Sequence, residues 1–243
     1  MIIQDSIISV MFSRVENIKK VYFRNEDILK KEFNEATVLP IPDDAPVEIP
    51  RIILKSKEEH SQLNISPFTA SMQTVYTDEY KSNWSSCVSY LDTKIDNLFE
   101  FTDVLTNKNY HYVGLVTNIL WDQVAENGTE VLVDNLLNIK SEKKPHDVNI
   151  KYTYVEKEEY FVNITIQNAR VYKDGTHADI SGSFSKENLE ANTIGITIDI
   201  NDRYQFNNIQ NYKSSKEKFK NIISITTDII ENRLSTLIKE GVY

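Results

Sequence analysis

The residues best placed for chemistry are carboxylates. Asp199 and Asp202 flank Ile200 and Asn201 where an apolar, strand-like run ends. Metal-dependent hydrolases hold Mg²⁺ at such places, because hard cations need clustered oxygens. Asp179 or Asp147, from a neighbouring strand, would complete the ligand set. Against this stands a plainer reading, that Asp and Asn end strands and open turns. The plainer reading is preferred, so no metal and no catalytic residue is assigned.

The other reactive types are thinly spread. His60, His111, His146 and His177 never pair at helical spacing, and the single Cys87 cannot build a zinc site or a disulfide framework. Cys87 falls on a helical pattern and reads as a small buried residue. His111 is the histidine to watch, because it heads a long apolar strand. Phosphate loops, nucleophile elbows, HExxH motifs and calcium loops are missing from the sequence. No cofactor is implied. Binding candidates are Arg51, just after a proline run, and Trp84, which opens a helical seam. Lys216 and Lys220, in the basic stretch KSSKEKFK, complete the set.

The bulk numbers narrow the partners. The chain has 243 residues, net charge −9 and 40% hydrophobic content, enough for a sizeable core. An acidic chain repels nucleic acid and anionic membranes alike. No run of about 18 apolar residues occurs, so no transmembrane helix is expected. The N-terminus reads as a first strand rather than a signal peptide. Together with the lone cysteine, this points to a cytoplasmic protein.

The elements that must position these residues are read from periodicity. Residues 6–15 alternate as a strand. A short helix runs from a cap at Asn25 to about Asn34. Leu39–Pro50 (LPIPDDAPVEIP) carries four of the six prolines and is an ordered, extended crossing with Asp43 and Asp44 at a turn. Arg51–Lys55, Gln62–Ser66 and Phe68–Tyr76 form a meander. After a cap at Asp78, Trp84, Val88, Leu91, Ile95 and Leu98 make one helical seam ending near Phe101. The second half repeats the order. Tyr110–Trp121 is an interior strand, and Asn127–Gly128 turns into a short helix. Val148–Tyr154 and Tyr160–Ile166 form a hairpin, and a strand follows the turn at Asp174–Gly175. Thr193–Asn201 is the last strand, and a helix from Ser214 to Glu240 closes the chain.

The fold class is therefore α+β, in two similar halves. Each half is strand, short helix, antiparallel meander and long amphipathic helix. The halves are residues 1–105 and 106–243, packed as one unit.

Four stretches carry a family resemblance: the N-terminal strand, Pro50–Ser66 (PRIILKSKEEHSQLNIS), Tyr76–Phe101 leading into Tyr112–Leu120 (YVGLVTNIL), and Ile196–Ile200 feeding the closing helix. In these the chain resembles a family of uncharacterised, sporadically distributed bacterial proteins. That resemblance implies no catalytic residues. The sheet-plus-long-helix plan is also similar, by topology alone, to SecB-type export chaperones.

The function expected is non-catalytic protein binding or assembly, through a protein partner or self-association, with the Trp84–Leu98 seam as one surface for a dimer. The Lys-, Asn- and Ile-rich composition suits a bacterial or phage accessory system, such as toxin–antitoxin, phage defence or counter-defence. The alternatives are a metal-dependent hydrolase using Asp199 and Asp202, and a SecB-like chaperone.

Overall fold

The computed structural model describes residues 1–42, 45–122, 127–137, 142–143, 145–173 and 185–243. Its centre is an antiparallel pair. Strand β1 (Ile2–Phe12) lies against β6 (Tyr110–Trp121) from Ile2↔Leu120 to Phe12↔Tyr110. Both alternate between register shifts at Ile3/Asp5 and Met11/Phe12: Ser6, Ile8, Val10 and Phe12 are buried on one face, as are Val113, Leu115, Thr117, Ile119 and Trp121. Period-two burial is what a sheet with one covered face demands.

From β1 the sheet runs outward through β5 (Thr69–Val75), β4 (Ser61–Ser66), β3 (Ile52–Lys55) and a two-residue β2 (Thr37–Val38). From β6 it runs through β9 (Leu189–Asn201), β8 (Tyr160–Tyr172) and β7 (Asn149–Glu156). The protein is thus α+β, with one antiparallel sheet of nine described strands. The sheet is continuous across residues 105 and 106, because β1 and β6 pair directly.

Helices cover the face that carries the buried residues. They are α1 (Ile18–Leu29), α2 (Trp84–Thr106), α3 (Gly128–Leu132), α5 (Lys216–Asp228) and α6 (Leu234–Glu240). Helix α2 starts at Asn83, whose side chain accepts from the Ser85 N–H, not at Asp78. Helices α5 and α6 are one run joined by a wide π turn, Ile229–Arg233. It is capped by Ser215 and ended by Gly241 at φ 67, where glycine carries no Cβ penalty.

The short first helix departs from expectation. It begins at Ile18, and Asn25 lies inside it at φ −133, ψ 16, where the axis kinks. The Asn25 side chain donates back to the Val21 carbonyl (2.9 Å), which satisfies the polar group inside the helix instead of capping a new one. A further helix, α4 (Arg203–Asn208), was not expected from periodicity. The predicted turn at Asp174–Gly175, the strand after it, and Asp43, Asp44, His177 and Asp179 lie outside the described residues.

Candidate functional site

Among the described residues, the second face of the sheet carries no helix along most of its width. Along its midline, on β1 and β6, apolar pairs alternate with the polar pairs Asp5↔Asn118 and Ser9↔Gly114. On β1 and β6 the directly opposed pairs Ile2↔Leu120, Ile7↔Val116 and Met11↔Tyr112 point to this side, and all six residues are half-buried.

Polar side chains lie between these pairs and beside them, and they bond to one another, mostly across strands. Asn118 Nδ2 donates to Asp5 (2.9 Å), and Thr197 donates to Asn118 Oδ1 (2.7 Å). Asp199 accepts from Asn163 (3.3 Å) and Asn201 (3.0 Å), and Thr153 donates to Asn163 (2.9 Å). Beyond β1, Ser9 and Ser71 approach at 3.5 Å. Such cross-strand pairs hold the face in one register. The result is a mixed face, with three apolar pairs set among hydrogen-bonded polar side chains.

One end of this face is closed by α4. The Phe206 ring stacks on His111 (5.1 Å between centroids) and tilts against Tyr112. Tyr204 meets Phe161 edge-on, and Arg203 lies over the Tyr112 ring (5.5 Å). His111 Nε2 is 2.8 Å from the Ser13 hydroxyl. Both side chains border solvent, and the imidazole is one wall of a cleft of about 620 Å³ with Phe206, Ile209, Tyr212 and Lys213. His111 is thus placed where a partner could reach it, with its ring orientation fixed by packing.

Asp199 and Asp202 do not form one site. Asp199 is half-buried on the uncovered face, tied to asparagines. Asp202 is fully buried. Its carboxylate accepts from the Val113 N–H (2.7 Å), the Tyr212 hydroxyl (2.6 Å) and the Ser214 hydroxyl. A spacing of three across the end of a strand turns two side chains to opposite faces, so Asp199 and Asp202 do not meet at one site; Asp179 lies outside the described residues. Among the described residues, no three His, Cys, Asp or Glu side chains gather as a metal group.

Burial raises the Asp202 carboxyl above its ordinary value of 3.8, against the pull of its three donors. A carboxyl raised on folding contributes stability at low pH and loses it as pH climbs through the raised value. Asp202→Asn is therefore expected to flatten the decline in stability above pH 3.8. The amide oxygen can still take the Val113 N–H, and the two hydroxyls can rotate to accept. Urea midpoints for both proteins across a pH series check this, and parallel curves would refute it.

Of the remaining candidates, all but Lys220 are engaged within the chain. Trp84 is buried, and its indole donates to Thr227 (2.8 Å), fastening α2 to α5. Leu91, Ile95 and Leu98 are buried too, so the seam expected to serve a dimer is core. Lys216 pairs with Asp96 (2.6 Å), and Lys220 is exposed on α5. Arg51, a candidate for a binding contact, is 1% exposed. Its guanidinium donates to the carbonyls of Pro42, Ala45, Pro46 and Ile49, so it staples the proline crossing. Cys87 is buried, its thiol pushed up to about 12 by burial, and is inert at neutral pH.

Sequence reasoning missed a second cluster. Lys94 on α2 is 2% exposed, with its ammonium 2.5 Å from Glu32 and 3.0 Å from Glu58. Burial works to lower the Lys94 pKa, but the two carboxylates carry it above its ordinary value, so it is a fixed cation and not a nucleophile. It stands 5.2 Å from the centre of the Tyr90 ring, beside a cleft of about 570 Å³ lined by Tyr80, Ser85, Ser89 and Thr93. The available signal was a lysine next to the apolar seam, between Leu91 and Ile95.

No protein-family model and no curated protein matches the sequence. Among the described residues, no helix is long and apolar enough to cross a membrane.

Proposed function

We propose that the protein is a non-catalytic binding and assembly module, and that it docks a protein partner on the uncovered face of its sheet. One observation carries this reading: on the uncovered side of the central strands three directly opposed apolar pairs alternate with the polar pairs Asp5↔Asn118 and Ser9↔Gly114. The buried groups add support. Asp202, Lys94 and Cys87 are engaged within the fold, while the sheet face presents its side chains outward. Asp5 and Asp199 on this face, and a net charge of −9, disfavour a polyanion there. A second copy of the chain offers the same three pairs and is the first partner to test. The bacterial or phage accessory setting belongs to this proposal as its biological frame.

Val116→Lys puts a charge at the middle one of the three pairs without touching the core. Light scattering of the wild-type chain is expected to show a dimer, and Val116→Lys a folded monomer. A wild-type monomer would remove self-association. If an extract of the source cells then yielded no partner lost on Val116→Lys, the whole reading would fall.

A further inference from the structure

The run that closes α4 and follows it, residues 207–213 (NNIQNYK), forms most of the wall of the cleft of about 620 Å³ beside His111. Five of the ten residues in that wall are carboxamides: Asn109, Asn207, Asn208, Gln210 and Asn211. Each offers donors and an acceptor without carrying a charge. Asn207, Gln210 and Asn211 are exposed, and among the described residues their side chains make no hydrogen bond. Among the described residues no carboxylate lines the cleft, although the chain has a net charge of −9.

The fold sets this loop in place. Beyond the carboxamides, Tyr212 (2.6 Å) and Ser214 both donate to the buried Asp202 carboxylate, and the Ser214 N–H bonds to the Tyr110 carbonyl (3.1 Å). At the near end the Ile209 N–H bonds to the Gln205 carbonyl (2.8 Å). Asn211 takes φ 59, a left-handed geometry that asparagine tolerates. A loop held this way loses little freedom when a ligand arrives. The wall also has an apolar part, the Phe206 ring and Ile209, which is 49% exposed. Phe206 already stacks on His111, and the Tyr212 hydroxyl is taken by Asp202. The groups left for a ligand are therefore mainly carboxamides, with Ile209 beside them.

We infer that this cleft binds a pyranose sugar, either free or as the terminal residue of a glycan. Sugar hydroxyls each donate and accept, and neutral carboxamides answer both. Ile209 suits the apolar C–H side of the ring. The cleft falls within the usual range of small-ligand sites, about 300–1,000 Å³. This site is separate from the three apolar pairs on the sheet face and does not depend on the docking proposed there.

The test uses the full chain, isotope-labelled for NMR. Glucose, galactose, mannose and N-acetylglucosamine are titrated, each alongside its methyl glycoside, with glycerol at matched osmolality as the control. For at least one sugar, saturable shifts are expected in the side-chain amide signals of Asn207, Gln210 and Asn211. Equal affinity for the methyl glycoside identifies a glycan end as the natural form, and loss of binding on methylation identifies the free sugar. Asn207→Ala with Gln210→Ala, both at exposed positions, should weaken binding at least tenfold while the backbone spectrum stays that of the folded chain. Shifts no different from those with glycerol for every sugar would overturn the inference. So would unchanged affinity in the double variant.

Discussion

Replacing Glu32 and Glu58 together by glutamine is expected to destabilise the protein by about 3–5 kcal/mol, the usual result of stranding a buried charge. Lys94 is 2% exposed, whereas its partners are 29% and 46% exposed on their side chains. The cost therefore depends on which side of the cluster is removed. Lys94→Met leaves two carboxylates that water can still reach, and the methionine keeps most of the apolar stem. Its loss should be smaller, about 1–2 kcal/mol, in line with partly exposed ion pairs. Adding Lys94→Met to the double glutamine variant removes the stranded cation, so the triple variant should be more stable than the double. The pH dependence separates these cases as well. In the wild type the Lys94 pKa is raised, so its contribution holds below 10.5 and is lost as pH rises through the folded value. In the double variant burial would lower that pKa, and stability should rise with pH. Urea unfolding of the four proteins between neutral and alkaline pH measures both effects. The account is falsified if the triple variant is no more stable than the double.

Such clusters mark the limit of what periodicity can show. Tyr110–Trp121 was legible to the residue, and Ile194, Ile196, Ile198 and Ile200 announced the buried face of β9, because alternation reports directly on which side of a sheet is covered. The three-strand meander before α2 was equally plain. Legibility failed where conformation depends on one residue's local bonds. Asn25 is a good helix cap by type, yet it bonds backward within a helix that starts after Asn17, itself in the left-handed region. Helix α4 has no apolar stripe of its own. It is held by Tyr204 and Phe206 against Phe161, Tyr112 and His111, contacts that exist only once the sheet is formed. Lys94 needs Glu32 from 62 residues away. Asp199 and Asp202 teach the converse. Their spacing of three on a strand already implied opposite faces, so proximity in sequence was a poor guide to a shared site.

Arg51→Met is expected to release the segment Leu39–Pro50 and to cost about 3 kcal/mol, within the range for breaking a buried hydrogen-bonded charge network. An opposing effect must be weighed. Removing a buried cation recovers its desolvation cost, and apolar replacements of buried charges can stabilise. Here that gain is outweighed because the guanidinium is the common anchor of four carbonyls, at distances of 2.6–3.4 Å. Proline supplies no N–H, so Pro40, Pro42, Pro46 and Pro50 cannot tie the segment to the sheet by backbone donation. Among the described residues, what remains is the Leu39 N–H to the Arg51 carbonyl, the Lys19 ammonium to the Ile41 carbonyl, and local turns at Ile41, Ala45 and Ile49. Without Arg51 the crossing has little to fix it to β3. Arg51→Lys should not rescue it, because one ammonium cannot span the carbonyls that the planar fork reaches together. Limited proteolysis supplies the readout. The wild type should resist cleavage between residues 39 and 50, and Arg51→Met should be cut there at least tenfold faster while β1 and β6 stay protected from hydrogen exchange. Equal cleavage rates in the two proteins would mean that the prolines alone hold the crossing, through their restricted φ, and that Arg51 is not its staple.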